Sequence, residues 1–185
     1  MIMKLMQAAV LVASGLALGG CPFGGAKTAA PAKKAPAADY QAAVPPSPPA
    51  GQIRAICYNE ADLVTVRARM LQQEMSVAAL QCQNASGGRA YEPQYASFLG
   101  KFQGDLATNA RALQDLARRK RLNVDVLVTE FANRTAQKAP VDPEFCSRSL
   151  RALEWALEPK TTSLSQVPPP YELGPDMNIH PCPAQ

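Results

Sequence analysis

Residues 59–82 read NEADLVTVRARMLQQEMSVAALQC, and this stretch decides the fold. Its apolar residues, Leu63 and Met70 among them, recur at the three- and four-residue spacing of a helix. Asn59 is a favourable N-cap residue, and the two acidic residues in the next turn suit the positive end of the helix dipole. A Ser-Gly-Gly sequence soon after Asn84 breaks the pattern. The stretch therefore predicts one long helix.

Three further helices are predicted downstream of this one. The second begins at the Glu-Pro pair that ends in Pro93 and finishes at the basic run 118–121. The third spans about 124–137, and the fourth is capped by Asp142 and ends before Pro159. This part of the chain has no strand-like alternation, and short connections favour antiparallel neighbours. The sequence predicts an all-α fold, an up-down four-helix bundle.

Composition divides the remaining chain into segments without helical periodicity. Alanine, proline and lysine dominate before the first helix, and such a composition favours an extended, disordered tether. The region after the fourth helix is also rich in proline. The predicted divisions are a signal peptide at 1–20, a tether at 21–52, a helical domain at 53–159 and an irregular tail at 160–185.

The first twenty residues have the features of an export signal. Lys4 is the only charged residue among them, and an apolar run follows from Leu5 to Leu18. The run is too short, and too interrupted by glycine, to predict a stable membrane span. It instead predicts that the chain is exported.

The residues at the end of this run carry a resemblance to a known class of proteins. Residues 18–21 read LGGC, an aliphatic residue and two small residues before a cysteine, and this resembles the lipobox of bacterial lipoproteins. The resemblance implies that Cys21 is acylated and anchors the exported chain to a membrane. Pro22 follows it in place of an aspartate, which favours the outer membrane over the inner. The alternative is an ordinary secretory signal, with Cys21 as a free or paired thiol.

Four other cysteines predict two disulfides, because their number is even and the predicted compartment is oxidising. Cys57 and Cys82 flank the first helix, so roughly 37 Å of helix separates them and they cannot pair. In an up-down bundle, Cys82 lies at the same end as Cys146, and Cys57 lies at the other end, near the tail that carries Cys182. The helix order predicts the pairs Cys82–Cys146 and Cys57–Cys182.

Motifs for catalysis and for cofactors are missing from the sequence. It contains no G-x-S-x-G, S-x-x-K, H-E-x-x-H or C-x-x-C pattern. Its single histidine, His180, stands near Cys182 in the tail, and two such ligands make a weak metal site. A net charge of +4 spread along the chain does not favour nucleic acid. We predict no enzymatic activity, no catalytic residue, no cofactor and no bound metal.

Two features suggest a surface for a partner protein. Arg118, Arg119, Lys120 and Arg121 form a basic run that suits an acidic partner or lipid headgroups. The alternative is a helix end with solvated cations. Trp155 lies off the apolar stripe of the fourth helix and suits a contact surface, since tryptophan is enriched in binding hot spots. It suits a position under the C-terminal tail equally well.

A pair of glycines on the second helix predicts close packing. Gly100 and Gly104 form a G-x-x-x-G pattern, a small ridge that another helix can approach closely. Internal packing, with Ala78 and Ala79 as candidate neighbours, is the favoured interpretation. Docking of a partner helix is the alternative.

These observations predict a function class and no specific task. The chain is similar in size, anchor and helical content to the pilotins that escort secretin pores to the outer membrane, and no shared motif supports this likeness. The sequence thus favours a non-catalytic envelope lipoprotein that faces the periplasm and binds another envelope protein, as a structural or assembly factor. The alternative is a periplasmic lipoprotein that binds a small ligand or a metal, between the helices or at His180.

Overall fold

A computed structural model describes residues 40–43 and 56–183, so Cys21 and the predicted signal peptide lie outside the described residues. The described residues form an all-α fold, as predicted, with five helices and one small parallel sheet. Among the described residues, no helix is long and apolar enough to cross a membrane. In chain order the elements are β1 (Ile56–Tyr58), α1 (Glu60–Gln81), α2 (Glu92–Lys101), α3 (Gln103–Lys120), α4 (Val124–Lys138), α5 (Phe145–Leu157) and β2 (Ile179–Pro181).

Helix α1 is the central element and contacts each of the other four helices. It begins as predicted, because the Asn59 side chain accepts a hydrogen bond from the Asp62 backbone N–H at 2.8 Å. Two rows of apolar residues lie on different faces of α1, and a helix that is apolar on several faces is buried by its neighbours. The domain is therefore organised around one central helix, whereas the four helices of an up-down bundle occupy equivalent positions around a shared core.

Each apolar face of α1 belongs to its own core. The first core lies between α1, α3, α4, the start of α5 and the end of the chain, and the second lies between α1, α2 and α5. The first core contains Tyr58, Leu63, Val66, Met70, Val77, Ala78, Cys82, Leu113, Leu116, Leu127, Phe131, Phe145, Tyr171, Leu173, Met177 and Ile179. The second contains Tyr40, Ala68, Leu71, Met75, Phe98, Phe102, Ala152, Leu153, Ala156, Leu164 and Val167.

The second helix predicted from the sequence is two helices in the structure, α2 and α3. The described residues therefore contain five helices where four were predicted. Its backbone leaves helical geometry at Phe102, which ends α2 and precedes α3. Gly100 and Gly104 flank this point, and each glycine costs a helix interior about 1 kcal/mol relative to alanine. The break is compatible with burying two aromatic rings, because Phe98 and Phe102 pack 5.4 Å apart in the second core.

The region after α5, predicted as an irregular tail, packs against the helices. It holds two short 3₁₀ turns, Leu164–Gln166 and Pro175–Met177, and strand β2. Six of its apolar residues are buried, because they insert singly into the two cores from an irregular backbone. Helical periodicity cannot reveal such residues. The six are Leu164, Val167, Tyr171, Leu173, Met177 and Ile179.

Residues 40–42, which lie within the predicted tether, pack on the domain. Tyr40 is completely buried, and its hydroxyl donates a hydrogen bond to the Pro168 carbonyl at 2.6 Å. Gln41 Nε2 donates to the Pro169 carbonyl, and the Ala42 N–H donates to the Pro170 carbonyl. We call residues 40–42 the Tyr40 clamp.

Both disulfides have the pairing that the helix order predicts. Cys82 and Cys146 join the C-terminal end of α1 to the start of α5, with their Cα atoms 5.7 Å apart. Cys57 and Cys182 join β1 to the residue after β2, with Cα atoms 4.5 Å apart. The two strands pair in parallel, with Cys57 opposite His180. The sequence did not predict these strands, since three residues are too few to show alternation.

Candidate protein-binding groove

Two adjacent cavities form a groove on the surface of α1. One, of about 330 Å³, lies between α1 and residues 164–172. The other, of about 310 Å³, lies between α1, α3 and residues 163–165. Four lining residues are common to both cavities, so the two adjoin along these residues, and we call the pair together the groove. The shared residues are Val64, Ala68, Leu164 and Ser165.

The middle of the groove is apolar and accessible. Val64 is 41 % exposed, although it lies on the central helix of the domain. Beside it lie Ala68, Leu164 and Val167, which belong to the second core. Because the exposed valine adjoins buried apolar side chains, a ligand here would bury apolar surface without opening the core. This arrangement suits an apolar side chain of a partner.

Charged residues lie at both ends of the groove. At one end the Arg67 guanidinium pairs with Glu172 at 3.1 Å and with the exposed Glu60 at 3.8 Å. At the other end Asp105 Oδ2 accepts a hydrogen bond from the Leu164 backbone N–H at 3.1 Å. The groove is thus an apolar centre with carboxylates at its two ends.

The Tyr40 clamp forms part of the groove wall. Gln41, Pro168 and Pro169 line the larger cavity, and hydrogen bonds of the clamp hold both proline carbonyls. The clamp is itself anchored, because Arg148 Nη1 donates to the Tyr40 carbonyl at 2.9 Å. The segment that leads out of the predicted tether therefore fixes one side of the groove.

The predicted basic surface is mostly committed to contacts within the domain. Arg119 pairs with the buried Asp62 at 2.7 Å, and Lys120 pairs with the same carboxylate at 3.4 Å. Lys120 also donates to the Cys57 carbonyl at 2.6 Å. Arg118 pairs with Asp115 one turn earlier. These contacts favour the alternative in which the run completes a helix end.

The last residue of the basic run ends its helix. Arg121 has a left-handed backbone, with φ of 55°, at the C-cap of α3. Its N–H bonds back to carbonyls of the last turn, which satisfies groups that a helix end leaves unpaired. Arg118, Arg119 and Arg121 are exposed, so this end of the domain is still basic at its surface.

Trp155 is half-buried against the second core, which includes Leu164 and Val167 from the predicted tail. The Tyr40 ring packs edge-on against its indole, with ring centroids 6.1 Å apart. Part of the side chain is therefore covered by a residue of the predicted tether, and the Thr161 hydroxyl in the predicted tail donates a hydrogen bond to the Trp155 carbonyl. The structure places Trp155 and the basic run beside different cores.

The glycine pair does not pack against another helix. Gly100 and Gly104 are exposed, and a Cβ atom at either position would meet nothing within 4 Å. The predicted contact with Ala78 and Ala79 is therefore wrong. The two glycines instead flank the helix break at Phe102.

His180 is exposed on β2, beside the disulfide partner Cys57 across the sheet. Both nearby cysteines are oxidised to a disulfide, so their sulfurs are not available as thiolate ligands. In residues 40–43 and 56–183, no group of three histidine, cysteine, aspartate or glutamate residues could hold a metal ion.

A buried carboxyl group between the two cores was missed by the sequence analysis. Glu74 is 1 % exposed, and its Oε1 atom has no hydrogen-bond partner in the part of the chain that the structure describes. Burial raises the pKa of Glu74 well above its ordinary value, and the Tyr171 backbone N–H, 3.5 Å from Oε2, opposes this only in part. One signal was present: Glu74 follows Met70 by four residues and Leu71 by three, so it lies on the apolar faces of α1.

No protein-family model matches the chain, and no match is found among curated proteins or among solved structures. The function must therefore be argued from the residues and from the geometry of the groove.

Proposed function

We propose that this protein is a non-catalytic lipoprotein of the bacterial cell envelope that binds another envelope protein through the groove. It is anchored by acylated Cys21, faces the periplasm, and belongs to the outer rather than the inner membrane. Its task is structural or assists assembly, and it needs no cofactor and no nucleic acid.

The observation that carries the proposal is the exposed apolar centre of the groove. Val64 lies on the helix that organises the whole domain, and burial of such a side chain by a partner contributes about 1 kcal/mol or more. The walls are held by hydrogen bonds and ion pairs, which supports a surface that is formed before the partner arrives. A preformed surface loses less conformational entropy on binding.

Two observations support the cellular location. The LGGC sequence at residues 18–21 follows an apolar run, as in lipoprotein signals. All four remaining cysteines form disulfides, which is typical of oxidising compartments such as the periplasm. The two observations are independent and favour the same compartment.

Site-specific photocrosslinking in native membranes tests the binding function. A photoreactive amino acid replaces Val64 in the full chain, and a matched control replaces Val126 on α4, which is 38 % exposed and lies outside the groove. We expect one envelope protein to crosslink at position 64 and not at position 126, with the adduct identified by mass spectrometry. Equal labelling at both positions, or none at 64, would count against the groove as the binding surface.

Fractionation tests the anchor. Cys21→Ser should move the protein from the membrane to the soluble periplasmic fraction, because a multi-chain lipid anchor supplies most of the membrane affinity. Mass spectrometry of the unaltered chain should show the acyl groups. A variant that stays with the membrane, together with an unmodified natural chain, would show that Cys21 is not the anchor.

A further inference from the structure

The chemistry of the groove indicates what kind of segment it binds. We propose that the groove takes an extended segment of the partner protein in which a short apolar sequence is flanked by lysine or arginine on both sides. This inference rests on the proposed function, and it adds the class of partner segment and the basis of its recognition.

The described lining of the groove is acidic. Among the described residues, its lining includes three carboxylates, Glu60, Glu172 and Asp105, and one guanidinium, Arg67. Arg67 pairs with both glutamates, and the charges of these four described groups sum to −2 on a chain whose total is +4. A basic segment therefore complements this groove, whereas an acidic segment is repelled.

The carboxylates lie on two sides of the apolar centre of the groove. Glu60 and Glu172 lie at the end formed by the start of α1, and Asp105 lies at the end formed by α3. The apolar residues Val64 and Leu164 lie between these ends, since they line both cavities. The order of groups along the groove is therefore acidic, apolar, acidic. The complementary order in a partner is basic, apolar, basic.

The shape of the groove suits an extended segment. On α1 the lining of the larger cavity runs from Glu60 to Ala68, about 12 Å of helix. One wall consists of Val167, Pro168 and Pro169, against which a flat extended segment can lie. An extended, proline-containing segment loses little conformational entropy on binding, which favours it over a segment that must first be ordered.

Fluorescence polarisation with defined peptides tests this inference on the full chain, purified in detergent. The probe is a fluorescein-labelled Lys-Val-Pro-Val-Lys peptide, and the comparison peptide is Glu-Val-Pro-Val-Glu. We expect the lysine peptide to bind and the glutamate peptide to bind more weakly by about tenfold or more, because charge reversal replaces attraction by repulsion at both ends. Raising the salt from about 50 mM to about 500 mM should narrow this difference.

Two variants with matched controls locate the binding. Val64→Arg should weaken the lysine peptide about tenfold or more, since it removes the central apolar contact and adds a like charge. Val126→Arg, at a valine of similar exposure outside the groove, should leave binding unchanged. Glu60→Lys should weaken binding about threefold, as expected for an exposed charge pair, while Glu92→Lys in the first turn of α2 should have no effect. Circular dichroism should show that all four variants fold.

Three results would overturn the inference. These are tighter binding of the glutamate peptide, absence of lysine-peptide binding at millimolar concentration, and equal losses in the groove variants and their controls. The proposed function fails separately, if no envelope protein crosslinks at position 64. A crosslink at position 64 together with any of these three results would keep the groove as a binding surface and remove the basic segment as its ligand.

Discussion

The two cores of this domain are closed in different ways, although they share α1. Cys82 is a buried member of the first core, and the Cys57–Cys182 bond lies next to two other members, Tyr58 and Ile179. The second core contains no cysteine among its described members. It is covered by Tyr40, Leu164 and Val167, which hydrogen bonds and packing hold in place.

The difference shows how a small domain can combine stability with a binding surface. Disulfides restrict the unfolded chain, so they stabilise the first core independently of the residues at its surface. The second core depends on short segments that lie along α1, and the groove forms where these segments meet the helix. We therefore expect mutations around the first core to change global stability, and mutations around the second to change the groove locally.

Among the variants that test the difference between the two cores, removal of the Cys82–Cys146 bond should change the free energy of unfolding most. The bond closes a loop with a sequence separation of 64 residues, for which the loss of chain entropy gives about 4 kcal/mol. The double variant Cys82→Ser/Cys146→Ser should lose about that much free energy of unfolding in urea titrations. A reducing agent should destabilise it further through the remaining disulfide. A loss below about 1 kcal/mol would show that the first core does not depend on this covalent link.

Tyr40→Ala should have the next largest effect, and that effect should be confined to the second core. The substitution removes a completely buried ring, a change that costs about 3 kcal/mol in protein cores. Hydrogen exchange should accelerate at backbone amides of residues 164–167 more than at amides around Tyr58. The control Tyr40→Phe keeps the ring and loses only the hydroxyl bond to Pro168, at a cost of about 1 kcal/mol. Uniform acceleration through both cores would show that they are not separate units.

Glu74→Gln should change the pH dependence of the free energy of unfolding. The change should be smaller than the loss of stability expected for Tyr40→Ala. The folded protein holds the proton of Glu74 more strongly than the unfolded chain does, because burial raises its pKa from an ordinary value of 4.5. The free energy of unfolding therefore falls as pH rises above that value. The nearby Glu172 raises the pKa further, and Lys138 lowers it.

The glutamine variant should therefore match the natural protein at pH 4 and exceed it in stability at pH 8, because the unfolded natural chain is stabilised by releasing a proton that the folded protein holds more strongly. Thermal unfolding at both pH values measures this. Parallel pH profiles for the two proteins would show that Glu74 is solvated in the folded state.

Lys120→Ala should have the smallest effect of the four, and its neighbour supplies the control. The substitution removes one of the two cations paired with the buried Asp62, together with a hydrogen bond to the Cys57 carbonyl. We expect a loss of about 1–2 kcal/mol. Arg118→Ala should change stability by less than about 0.5 kcal/mol, because its pair with Asp115 is exposed on both sides. Equal effects would mean that the basic run acts only at the surface.

Local sequence signals predicted the parts of the fold that depend on local order. Periodicity and capping located α1, including its cap at Asn59, because these features act within a few residues. The helix order was sufficient to pair Cys82 with Cys146 and Cys57 with Cys182, since the length of α1 excluded one alternative. The break at Phe102 was missed, because the apolar spacing continues through it.

The groove could not be predicted in the same way, because it is made by segments without periodicity. Leu164, Pro168 and Gln41 come from regions interpreted as tail and tether, and their positions depend on contacts more than a hundred residues apart in sequence, such as Tyr40 to Pro168. Val64 was assigned to an apolar face of α1 without any indication that it is exposed. Long-range contacts of this kind leave no local pattern.

The nested pairing of the disulfides has a consequence for how the protein is made. Of the four cysteines that form disulfides, a chain that emerges from its N-terminus presents Cys57 first and Cys82 second, and an oxidant that joins these cysteines in order of emergence links the two. The resulting bond would bridge the two ends of α1, a helix of 22 residues, and is incompatible with the native fold. Cys57 instead pairs with Cys182, the last cysteine of the sequence. An early bond between Cys57 and Cys82 would therefore have to be exchanged before the native pairs form, and this is the kind of step that disulfide isomerases catalyse.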